Sequence, residues 1–109
     1  MIEQILGSIN KERILIYLVA RSEGYSREIA RFFETDLAPV QNQMEKLETG
    51  GVLFSKTVGR TRVYMFNPRY PFLKELKEFI EKVLEFYPEQ EKNKLLMIRR
   101  RPRRAGKPL

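Results

Sequence analysis

The chain contains no cysteine and no histidine. The first absence rules out disulfides, thiolate metal sites and cysteine redox switches; the second removes the commonest zinc ligand and the commonest acid–base catalyst. An enzyme built from what remains would rely on glutamates, lysines and tyrosines, and these form no recognisable catalytic motif. Pairs such as Glu45 and Glu48, or Glu75 and Glu78, read as solvated helix surface. No catalytic residue, metal ligand or cofactor is therefore expected. Also missing is any apolar run near the roughly 20 residues needed to span a bilayer. The start, Met1-Ile2-Glu3-Gln4, lacks the positive charge and apolar stretch of a signal peptide. The expected location is the cytoplasm, with no membrane partner.

What is present suits one domain. A chain of 109 residues can bury an adequate but not large core, so further burial by dimerisation would help it. The net charge of +7 is unevenly placed. All 14 acidic residues lie before residue 99, nearly balanced there by 15 lysines and arginines, whereas the last 11 residues hold six basic groups and no acid. A second basic concentration, Lys56, Arg60, Arg62, Arg69 and Lys74, spans residues 51–74 without a carboxylate. Both stretches would attract a phosphate backbone.

The segment from Tyr25 to Phe66 organises the rest. Ser26 is placed to cap a short helix through Phe33, with Glu28 favouring its positive end. A second helix opens at Asp36, the only aspartate. Leu37, Val40, Met44 and Leu47 form one apolar stripe, Pro39 is harmless in the first turn, and Thr49-Gly50-Gly51 supplies the stop. Opposite that stripe stand Ala38, Gln41, Asn42, Glu45 and Lys46, small at the start and amide-rich in the middle, which suits a groove. Val52–Val58, a turn at Gly59-Arg60-Thr61, and Arg62–Phe66 then predict a β-hairpin, with Tyr64 and Phe66 packing down on the helices. This order predicts an α+β, mainly α fold: a winged helix-turn-helix, with a three-helix core, a β-hairpin wing and additional C-terminal helices.

These residues resemble the winged-helix transcription regulators of the ArsR and MarR kind. The resemblance rests on Ile29-Ala30, the run from Leu37 to Glu48, Gly51-Val52-Leu53, and the wing Gly59-Arg60-Thr61-Arg62-Val63-Tyr64. It implies DNA binding, and the missing cysteine and histidine remove the metal-sensing branch of the first family. Those families often carry serine, threonine and arginine where this chain has Ala38, Pro39 and Asn42, and Glu45 adds a negative charge to the groove-facing side. Gln41 and Asn42 are the expected base contacts, leaning towards A·T pairs because paired amide hydrogen bonds match the adenine edge. Arg27, Lys46, Lys56 and Arg60 are expected to grip the backbone, with Ser26, Ala38 and Arg62 completing the contact set; Arg62 sits near the wing tip, where its long side chain can reach solvent.

At the front, Ile2, Ile5, Leu6 and Ile9 predict a short helix broken near Gly7-Ser8. Ser8 or Asn10 caps the next helix, whose run Ile14–Ala20 is apolar on nearly every side, and Gly24 ends the connection that follows. Beyond the rigid connector Asn67-Pro68-Arg69-Tyr70-Pro71, a helix is predicted from about Phe72 to Tyr87. Its stripes, Phe72/Leu76/Phe79/Val83/Phe86 and Leu73/Ile80/Leu84/Tyr87, cover more circumference than one core contact requires. The excess predicts a homodimer seam of Ile2, Ile5, Phe72, Leu76, Phe79, Val83 and Phe86, in line with the first and last helices that pair in the resembled families. The domain boundaries are 1–87 for the winged helix with its dimerisation helix, 88–98 for a short helical extension ended by Pro102, and 99–109 for a flexible basic tail. The tail's Arg99, Arg100, Arg101, Arg103 and Arg104 join the DNA-contact set, either as a minor-groove arm or, more simply, as a nonspecific tether to nucleic acid or to an acidic protein partner, since an arginine–glycine–arginine centre is missing. This ending is also similar to that of small prokaryotic winged-helix proteins associated with nucleotidyltransferase domains. That likeness implies the alternative of a protein-binding adaptor or DNA-targeting subunit, with a protein partner supplying catalysis.

Overall fold

Ser8 starts the frame on which the other elements rest. Its hydroxyl accepts from the backbone N–H of Asn10 at 3.1 Å and of Lys11 at 3.2 Å, satisfying two of the free donors at the start of α2 (Ile9–Arg21). Before it, α1 (Glu3–Leu6) is a single turn ended by Gly7 at φ 82°. The computed structural model describes residues 1–96. The expectations for Met97, Ile98, Pro102 and the arginines Arg99, Arg100, Arg101, Arg103 and Arg104 lie outside the described residues.

Burial of α2 on several sides follows from its sequence. Ile14, Leu15, Ile16, Tyr17, Leu18 and Ala20 are all buried, and α3 (Ser26–Phe32), α4 (Leu37–Thr49) and α5 (Leu73–Glu85) pack against it. Tyr17 loses enough water that burial pushes its phenol up to about 12. Glu12 lies on the same stripe, three and four residues before Leu15 and Ile16, and is buried with them at 1% exposure. Its carboxylate accepts from the Ile2 N–H at 2.8 Å, from the Met1 ammonium at 2.9 Å and from the Tyr87 hydroxyl. These donors supply what a carboxylate taken out of water requires. The Tyr87 hydroxyl is held protonated by burial and by the Glu12 charge, both of which raise its pKa.

The helix-turn-helix is α3 and α4, with one change at its start. Ser26 does not cap α3; it is the first helical residue, and Tyr25 occupies the cap position in extended backbone. The Tyr25 N–H donates to Glu28 Oε1 at 3.4 Å, so Glu28 performs the reciprocal half of a capping box. Asp36 precedes α4 with the extended backbone of a cap residue but makes no side-chain capping bond. Val40, Met44 and Leu47 are buried, Leu37 is half-buried, and Gly51, at φ 82°, turns the chain into the wing.

The wing is β2 (Leu53–Val58) and β3 (Thr61–Phe66), antiparallel, with Ser55 opposite Tyr64 and Thr57 opposite Arg62. A third strand, β1 (Glu23–Gly24), pairs with the other edge of β3 and makes the order β1-β3-β2. The sequence alone places Gly24 at the end of a connection. Two residues carry no alternation to read, and the strand exists because β3 offers its open edge to the chain leaving α2. Glycine is required there: a Cβ at Gly24 would lie 2.8 Å from the Tyr17 ring.

After the connector, in which Asn67 Nδ2 donates to the Gly51 carbonyl at 3.0 Å, α5 runs Leu73–Glu85, slightly inside the predicted span. Ile80, Val83 and Leu84 face the core. Residues 89–96 form a further helix, α6, whose Leu95 is fully buried. Arg21 pins it: the guanidinium donates to the carbonyls of Leu95 at 3.0 Å and Lys94 at 3.1 Å and to the Tyr17 hydroxyl at 2.8 Å, lying over the Tyr17 and Phe32 rings. Among the described residues no helix is long and apolar enough to cross a membrane.

Candidate nucleic-acid interface

Because Val40, Met44 and Leu47 commit one side of α4 to the core, helical geometry turns its other side outward. Ala38, Gln41, Asn42, Glu45 and Lys46 are all exposed there. Ala38, Asn42, Glu45, Lys46 and Thr49 line a shallow concavity along the helix. On α3, Arg27 is exposed and Ser26 half-buried. On the wing, Lys56 and Arg60 are exposed. Among the described residues Arg27, Lys46, Lys56 and Arg60 join no ion pair, so their side chains are available to an external anion.

Arg62 is placed differently from those four. It is exposed, but strand alternation puts it on the same face as Tyr64, above the end of α4. Its Nη1 lies 3.8 Å from Glu48 Oε1 and 3.5 Å from Ser55 Oγ, while the Ser55 hydroxyl donates to Glu48 Oε2 at 2.7 Å. The three side chains link α4 to both strands of the wing. Tyr64 beneath them is kept protonated to higher pH, by burial first and then by the Glu48 charge, with Arg62 opposing. Reading Glu48 as plain solvated surface missed this link; the available signal was Ser55 and Arg62 falling on one face of a hairpin that follows directly from the helix.

The apolar seam divides into two parts. Ile5 is 71% exposed, Phe72 62%, Phe79 40% and Phe86 68%, so large apolar side chains at both ends of the described chain remain largely exposed. Ile2 and Leu76 are partly buried against the core. Val83, expected on the seam, is instead 6% exposed and packed into the single chain's own core. It sits three residues from Ile80 and beside Leu84, on the edge of the stripe that α5 turns to α2, so the core takes it first. Among the described residues no cluster of acidic groups could hold a metal ion.

No protein-family model matches the sequence, and no curated protein matches it. Solved structures do match the fold. The AntR antimony-specific transcriptional repressor superposes with a TM-score of 0.56 at 19% identity, over 75% of this chain and 72% of that one. A MarR-family transcriptional regulator from Silicibacter pomeroyi gives 0.57 at 15% identity, over 97% and 77%. A mutant of Lactococcus lactis ZitR in its apo form gives 0.53 at 18% identity, over 97% and 95%. At these identities the likeness is one of fold, and that fold is a winged helix.

Proposed function

We propose that this chain is a non-enzymatic, sequence-specific DNA-binding regulator, acting as a homodimeric repressor on an inverted-repeat operator. The observation that carries the reading is the exposed Gln41–Asn42 face of α4, with Arg27, Lys56 and Arg60 on neighbouring elements exposed and in no ion pair among the described residues. Amides in a major groove form paired hydrogen bonds with an adenine edge, while cations on either side grip phosphates and hold the register. A second copy packed on the exposed Ile5, Phe72, Phe79 and Phe86 side chains would set two α4 helices in successive major grooves, about 34 Å apart. Occupancy beside a promoter would then exclude polymerase. The transcriptional roles in the names of the similar structures agree with this reading.

Selection of bound duplexes from a random library, followed by titration of two variants, tests it. Asn42→Ala is expected to relax base preference at one position of each half-site. Arg60→Ala is expected to weaken binding to every sequence alike and to lower the salt slope by about 1. The adaptor reading gains if a chain ending at Ile98 shows no affinity for duplex at low salt.

A further inference from the structure

Glu45 is a puzzle on a surface that meets a polyanion. It is exposed on α4, one turn beyond Gln41 and three residues beyond Asn42, in the same concavity as Asn42 and Lys46. Among the described residues it has no ion-pair partner, whereas Glu48, three residues on, is held by Arg62 and by the Ser55 hydroxyl. The fold neutralises one carboxylate of α4 and leaves the other facing out. A bare carboxylate at a duplex repels phosphates, and it also repels most base edges. In the major groove guanine shows the acceptors N7 and O6, thymine shows O4, and the adenine amino group lies between its own N7 and the thymine O4; only the cytosine amino group has an acceptor, the guanine O6 of its own pair, on one side alone.

The axial spacing fits a neighbouring base pair. Three residues of α-helix rise about 4.5 Å, against about 3.4 Å for one step of the duplex. We propose that Glu45 is a specificity-determining residue, accepting a hydrogen bond from the N4 amino group of a cytosine at the base pair next to the one contacted by Asn42. This rests on the DNA-binding function proposed above. Glu45 lowers affinity for every other base at that position, so the residue that weakens general binding is the one that sharpens selection.

The test uses the full chain. Duplexes selected by the unaltered protein should carry cytosine at one fixed step from the Asn42-dependent position, and replacing that C·G pair by T·A should weaken binding about tenfold. Glu45→Ala should abolish the difference between the two duplexes. Glu45→Gln should move the preference to adenine, whose N6 and N7 match an amide. The assignment is overturned if both variants bind all duplexes more tightly by one common factor with base preference unchanged, or if the selected sites show no cytosine at that step. Failure to select any duplex would instead remove the DNA-binding reading itself.

Discussion

Glu12 is a carboxylate buried between Met1-Ile2 and the segment after α5. Unpaired, it would be strongly destabilising; with donors on both sides it becomes a joint. Tyr87→Phe keeps the ring and removes one donor, leaving a buried carboxylate oxygen short of a partner. The expected cost is about 1–3 kcal/mol, seen as a lower urea midpoint with an unchanged slope. An unaltered midpoint would show that water replaces the hydroxyl at no cost. Nothing in the segment Lys11-Glu12-Arg13 announces this role by composition. Its place three and four residues ahead of Leu15 and Ile16 was the available signal, but periodicity marks a position as inward without saying whether a charge there will find donors.

At the scale of elements, Glu48, Ser55 and Arg62 bridge α4 and the wing. Arg62 is therefore already engaged within the protein, while Arg60, two residues before it in the turn, joins no ion pair among the described residues. Salt titrations of duplex binding should separate the two. Arg62→Ala is expected to change the salt slope by clearly less than the loss of about 1 expected for Arg60→Ala. Equal slopes would mean that Arg62 leaves Glu48 and joins the phosphate grip. The helices and the hairpin were legible because stripes at three-and-four spacing and alternation around Gly59 are local patterns. β1 was not, because a two-residue strand is specified by the open edge of β3 and by the absence of a Cβ at Gly24, both supplied from elsewhere in the chain.

For the whole molecule, the exposure of Ile5, Phe72, Phe79 and Phe86 is the feature most at odds with a lone monomer. If a second copy covers these side chains, Phe86→Glu should shift sedimentation equilibrium from dimer to monomer at micromolar concentration, and should also reduce affinity for a two-half-site duplex far more than for a single half-site. Phe86 is 68% exposed in the single chain, so the variant is expected to fold. A species that stays monomeric without the substitution would show that these side chains serve another contact.

Sequence alone determined the class of the protein. Missing cysteine and histidine narrow its chemistry, and the stripe Val40/Met44/Leu47 dictates that Gln41, Asn42 and Glu45 face outward, because a helix with one apolar side has only one way to bury it. Tertiary structure decided which charges remain available and which are consumed. Glu48 and Glu45 are the same residue type on the same helix, and Arg60 and Arg62 the same type on the same wing, yet one member of each pair is held by the other's element. That difference depends on how the wing closes over α4, a contact between segments that no local pattern encodes.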